Sequence, residues 1–166
     1  ITSMNLSWSQ ETIVELYKQE ISKFGVDNVA LLTPYRQKTE TGVNALNERI
    51  RDIVNPPANG KKEIGEGKKL FRVGDKIMQI RNNEDVNNGD VGYVTDITTH
   101  DNATSVHIDF GDGRKKEYDE NDLEMLSLGY ASTIHKSQGS EYRSVIINLQ
   151  CAHSIMLTRP LIYTAI

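Results

Sequence analysis

Between Leu70 and Leu126 the chain changes its hydrophobic period, and no single layered domain accommodates that change. The pieces KIMQI, GYVTDI, SVHIDF and KKEY are short and β-rich, and the turn signals Asn88-Gly89-Asp90 and Gly111-Asp112-Gly113 separate them. About five short strands packed into so short a stretch predict a small barrel. On both sides the pattern is that of helices alternating with buried strands. The expectation is therefore an α/β domain built from residues 1–67 and 127–166, interrupted by a β-barrel over residues 68–126.

The flanks carry the α/β reading residue by residue. Ile13, Leu16, Tyr17, Ile21 and Phe24 recur at the spacing of one helix face across residues 7–24, with Ser7 and Gln10 placed as a capping box and Gly25 as the stop. Val29 to Leu32 is a continuous apolar run ending at Thr33-Pro34, as expected of a strand covered on both faces. Val43, Leu46, Ile50 and Ile53 mark a second helix, closed by Pro56-Pro57. NGKKEIGEGKK, residues 59–69, reads as a polar linker. Past Leu128 a strand is expected near Tyr130–Thr133, then a polar turn, a buried strand over Ser144–Leu149, and a helix begun by Thr158 with Pro160 in its first turn. No internal repeat is present.

The net charge of −4 does not look like that of a nucleic-acid binder until it is divided along the chain. Residues 1–69, 70–126 and 127–166 carry +1, −7 and +2, so the acidity belongs to the predicted barrel. DNA contact would have to come from a few placed groups, or from a groove completed by further protein, rather than from a basic field. The longest apolar runs, VALL and SVIINL, are far too short to span a membrane, and no basic-then-apolar leader opens the sequence; a cytoplasmic protein is expected. Cys151 is the one cysteine, read as a core residue, and it supports neither a disulfide nor a zinc site.

The string TIHKSQGSEY, residues 133–142, concentrates the chemistry. A strand running into such a turn, with glycine in it, lets main-chain N–H groups approach phosphate, while Thr133, His135, Lys136 and Ser137 add hydroxyl, imidazole and ammonium donors. Glu141 would accept from a ribose hydroxyl. The same composition also suits an ordinary solvated turn. GEGKK at 65–69 is not a phosphate loop: the first glycine is misplaced, no hydroxyl follows the lysine and no strand precedes it. SVHIDF ends in the lone Asp109 and runs into a turn, so it is not a carboxylate strand for Mg²⁺.

These strings have a collective resemblance. TIHKSQGSEY resembles motif V of superfamily 1 helicases, VALLTPYRQKTETGVNALN resembles the motif IV region of the RecD family, and RPLIYTAI resembles the start of motif VI. FRVGDKIMQIRNN with NNGDVGYV is similar to the SH3-like insertion that RecD-type helicases, the exodeoxyribonuclease V alpha subunit family, carry in their second RecA-like domain. The resemblance implies an α/β, RecA-like parallel-sheet domain interrupted by a small SH3-like β-barrel. It further implies an ATP-dependent 5′ to 3′ DNA helicase using ATP and Mg²⁺, with single-stranded DNA, an N-terminal RecA-like domain of the same parent chain and possible nuclease-complex subunits as partners.

Carried over by position, Arg36 would reach the γ-phosphate, and Gln138, Gly139 and Glu141 would lie near phosphates and ribose. Thr133, His135, Lys136 and Ser137 would face DNA, with Asn44 and Asn47, read as exposed helical asparagines, weaker candidates; Arg81, Asn82 and Asn83 are candidates on the barrel, whereas Tyr93 and Tyr118 read as core aromatics. The sequence holds no GxxxxGK[ST] loop, and it ends at Ile166 before the arginine expected in motif VI, so the chain alone is expected to be inactive. Two other readings stand beside this one: a non-catalytic nucleic-acid or protein-binding module on the same fold, and a Pif-type helicase fragment.

Overall fold

The computed structural model describes residues 10–34, 36, 41–101, 103–137 and 141–148. In chain order these form α1 (Gln10–Phe24), β1 (Val29–Thr33), α2 (Val43–Val54), β2 (Glu63–Ile64), β3 (Phe71–Arg72), β4 (Lys76–Gln79), β5 (Val91–His100), β6 (Ala103–Asp109), β7 (Lys115–Asp119), β8 (Leu126–Leu128), β9 (Ala131–Thr133) and β10 (Ser144–Ile147). The capping-box serine Ser7 and the helix expected after Thr158 lie outside the described residues, as does Cys151. Two compact units result, one drawn from Ile1–Arg49 with Tyr130–Ile166 and the other from Ile50–Gly129, with α2 running through the division.

The first unit is built on a parallel sheet of order β10-β1-β9. All five β1 residues are buried, which is why VALLT shows no alternation: a central parallel strand has neighbours on both edges and cover on both faces. Leu31 and Leu32 pair with Ala131 and Ser132 on β9, and Val29 to Leu32 pair with Ser144 to Ile147 on β10. Ala30, Leu32 and Ile134 form a core cluster with Tyr142 and Ile147 against it. In α1 the buried positions are Ile13, Val14 and Tyr17, whereas Phe24, expected on the apolar face, is exposed at the last turn.

The second unit carries a five-stranded antiparallel sheet of order β7-β6-β5-β4-β8, and the β2-β3 pair. Its core includes Phe71, Ile77, Val94, Val106, Ile108, Phe110, Tyr118 and Leu126. Tyr118 donates to Gln79 Oε1 at 3.0 Å and meets Phe110 edge-on with ring centroids 6.5 Å apart, so its aromatic ring is core. Burial, aided by the charges of Asp122 and Asp90, pushes its phenol up to about 12.

The stretch read as a linker turned out to be structured. Ile64, an isolated apolar residue in a polar run, is buried and pairs with Phe71, and Glu63 pairs with Arg72. Lys69 then donates from Nζ to the carbonyl oxygens of Leu123 (3.2 Å), Glu124 (3.3 Å) and Leu126 (2.8 Å), tying this segment to the turn before β8. Composition hides such a segment because one buried side chain and one ammonium on three carbonyls are enough to order it.

Candidate functional site

The carboxyl ends of parallel strands are where open α/β sheets gather their ligands, since the chain leaves the sheet there in loops and helix starts. Here β1 and β9 end in register, Thr33 beside Thr133. Arg36 follows one strand and the short 3-10 turn Ile134–Ser137 follows the other. This edge is internally braced. Thr33 Oγ1 donates to Thr41 O at 3.3 Å, Asn148 donates from Nδ2 to the same oxygen at 3.2 Å, and Asn148 N–H closes on Leu32 O at 2.8 Å. All three side chains are buried, so the polar net is satisfied away from water, which fixes Thr41 to the sheet.

On that braced edge Arg36 is exposed and Lys136 is half-buried. Burial first, and then the charge of Arg36, hold the Lys136 ammonium below its ordinary range. Arg36 also accepts the Asn44 N–H at its backbone oxygen, 3.2 Å, which engages one of the amides at the start of α2. Thr133 is half-buried at the end of β9, and Glu141 is exposed. His135 and Ser137 lie in the turn, while Gln138 and Gly139 fall outside the described residues.

Asn47 corrects an expectation. Read as an exposed helical asparagine, it is 2% exposed, donating from Nδ2 to Ala131 O (3.0 Å) and accepting Ala131 N–H at Oδ1 (2.7 Å). It serves the edge of β9 opposite β1 as a strand would. The signal was present in the sequence: Asn47 follows Leu46 and precedes Ile50 on the buried side of α2.

In the second unit, Arg81 and Asn82 are exposed in the loop between β4 and β5. Asn82 Oδ1 accepts Asn88 N–H at 2.8 Å, and Asn83 exchanges backbone bonds with Val86, at 2.8 and 3.4 Å. The asparagines thus shape the loop, around the buried Val86. Among the described residues no group of three His, Cys, Asp or Glu side chains gathers to hold a metal, and no helix is long and apolar enough to cross a membrane.

A parallel-sheet unit whose chain is interrupted by an antiparallel five-stranded unit matches the division expected from the sequence, and sequence comparison finds helicase models on both parts. Residues 46–110 match the model of the ATP-dependent RecD-like DNA helicase SH3 domain, and residues 128–166 match that of the UvrD-like helicase C-terminal domain. The chain is 38% identical over 144 residues to the ATP-dependent RecD2 DNA helicase of Deinococcus radiodurans, a match covering 86% of this chain and 19% of that relative. By these matches the chain is similar to RecD-like helicases, and it spans about a fifth the length of the relative it matches.

Solved structures of similar outline include Pif1 in a study of forked-DNA unwinding by two coordinating Pif1 helicases. It has a TM-score of 0.46 and 20% identity, over 86% of this chain and 37% of that one. Unliganded Pif1 from Bacteroides sp. has a TM-score of 0.45 and 18% identity, over 95% and 43%.

Proposed function

We propose that this chain is the C-terminal motor segment of an ATP-dependent 5′ to 3′ DNA helicase of the RecD-like type, supplying one wall of an ATP cleft and part of a single-stranded DNA track. The observation that carries the reading is the shared edge: β1 and β9 end side by side at Thr33 and Thr133, and the Arg36 charge acts on Lys136. Two cations on a braced strand edge suit an anion. A planar guanidinium at Arg36 can stabilise charge on a transferring phosphoryl group, and Gln138, Gly139 and Glu141, which come next in the sequence, are the residues proposed to meet phosphate and ribose.

In the first unit the proposed DNA contacts are Thr133, His135, Ser137 and Asn44, together with Lys136, which also shares the edge with Arg36; in the second unit, taken by itself, Arg81 and Asn82 are the candidates. On this reading Mg²⁺ and the phosphate-cradling loop would be supplied by an N-terminal RecA-like domain of a parent chain. ATP, when bound, would hold the two domains closed and its hydrolysis would let them open; the residues of this chain position and neutralise the phosphates.

On its own the chain turns over no ATP and binds single-stranded DNA weakly, with an affinity that falls steeply with salt. The decisive test uses a parent-length RecD-like enzyme carrying this segment. Arg36→Ala lowers DNA-stimulated kcat by about 10³-fold while leaving single-stranded DNA affinity close to wild type. An unchanged kcat removes Arg36 from the cleft and the reading with it.

A further inference from the structure

Asparagine followed by glycine occurs at two places in the chain, Asn59-Gly60 and Asn88-Gly89. Such pairs are chemically reactive. The glycine nitrogen, unshielded by a side chain, attacks the asparagine Cγ after giving its proton to solvent base; ammonia leaves and a cyclic succinimide forms. Water then opens the ring at either carbonyl, giving aspartate or isoaspartate. The balance is one water in and one ammonia out, with no change of oxidation state. The attack requires a glycine N–H free of hydrogen bonds and room for the chain to turn, so the fold decides which pair reacts.

The two sites differ in those respects. Asn59 and Gly60 sit in an exposed turn closed by a single bond, Lys61 N–H to Ala58 O at 3.0 Å. Gly60 has a φ of 81°, and a Cβ built on it meets nothing within 4 Å. At the other pair, Gly89 N–H is held by Gln79 O at 2.8 Å, at the end of β4. Around it Asn88 N–H binds Asn82 Oδ1 (2.8 Å), Asn87 N–H binds Asp90 Oδ2 (3.0 Å), and Asp90 N–H binds Asn87 O (3.0 Å). Freeing that nitrogen means opening the end of a sheet, whereas freeing Gly60 means relaxing one surface turn.

We propose that Asn59 is a site of spontaneous deamidation in the folded protein, and that the fold protects Asn88. The product places a carboxylate beside Lys61 and Lys62, whose positive charges favour it. Lys61 is at present bound to Asn55 Oδ1 and Pro56 O, and Lys62 to Asp96 at 2.7 Å. Isoaspartate also adds a backbone methylene to the Ala58–Lys61 turn. The connection after α2 thus carries a charge that accumulates with the age of the molecule.

The test incubates the folded 166-residue chain at mildly alkaline pH, with a urea-unfolded sample alongside, and follows both sites by tandem mass spectrometry of proteolytic peptides. Methyl incorporation from S-adenosylmethionine by an isoaspartyl methyltransferase reports the isoaspartate fraction. In the folded chain Asn59 converts within about threefold of its unfolded rate, and Asn88 converts at least about tenfold more slowly than when unfolded. Asn59→Gln removes the folded-state signal and leaves the circular dichroism spectrum unchanged. An Asn59 as strongly protected as Asn88, or an Asn88 as fast as Asn59 in the folded chain, overturns the proposal.

Discussion

Asn47 on α2 holds Ala131 on β9 by both backbone groups, 3.0 Å to the carbonyl oxygen and 2.7 Å from the amide. Among the described residues β9 has β1 on one side, and on the other this side chain takes the place of a strand. Asn47→Ala leaves a buried N–H and a buried C=O without partners, at about 1–3 kcal/mol for each group left unsatisfied. Urea denaturation should show a loss of about 2–4 kcal/mol with little change in the m-value. Amide exchange should quicken first along Ala131–Thr133.

Two carboxylates in the second unit make opposite demands on pH. Asp75 is fully buried, and desolvation raises its pKa even though Asn55 Nδ2 (2.7 Å) and Arg72 N–H (2.8 Å) donate to it. A raised folded-state value means stability is greatest below the ordinary carboxylate range and falls as pH climbs through the shifted value. Asp52 is also opposed by burial, but the Arg72 hydrogen bond at 2.8 Å and the charges of Arg51 and Arg72 outweigh it, so its pKa is lowered. Its contribution is present above the ordinary range and is lost as pH falls through the lowered value. Stability measured against pH should lose its acid-side rise in Asp52→Asn, and should lose the decline on the rising side of the Asp75 titration in Asp75→Asn.

Glycine substitution separates strain from steric conflict. Gly65 and Gly60 have nearly equal positive φ values, 82° and 81°, so an alanine at either costs about 1 kcal/mol in backbone conformation. At Gly65, however, a Cβ would stand 2.1 Å from Lys69 O and 3.1 Å from Leu123 Cδ1, in the segment that Lys69 clamps. Gly65→Ala should cost several times what Gly60→Ala does, on the order of 3 kcal/mol or more. Thermal melts of the two variants check this directly, and equal shifts would mean that the 65–69 turn gives way without cost.

Much of the architecture is legible in the sequence because the relevant signals are local. VALLT announces a strand covered on both faces, the period change announces the antiparallel insertion, and Val43, Leu46 and Ile50 announce α2. Non-local pairings are not announced. Ile64 looks like a stray apolar residue until Phe71 pairs with it, and Asn47 looks like a solvent-facing amide until β9 supplies its partner 84 positions away. Phe24 satisfies the helical spacing but falls in the last turn of α1, where the cover ends. At the candidate site, the residue types were readable, while the grouping of Arg36 with Lys136 depends on the β1–β9 register.

That grouping yields the last expectation. Lys136 is held below the ordinary lysine range by burial and then by Arg36, so its folded-state penalty applies at neutral pH and is relieved as pH rises through the shifted value. Arg36→Gln removes the second cause and leaves the first, so the Lys136 pKa should rise part of the way back. Carbon-13 NMR of the Lys136 Cε across an alkaline titration measures it. An anion seated between the two cations acts in the same direction, since it favours the charged ammonium. Adding inorganic pyrophosphate to the wild-type chain should raise both the Lys136 pKa and the melting temperature, and both responses should shrink in Arg36→Gln. A Lys136 pKa that ignores the Arg36 substitution would mean that the two side chains do not share one electrostatic environment, and that the strand edge offers phosphate a single cation.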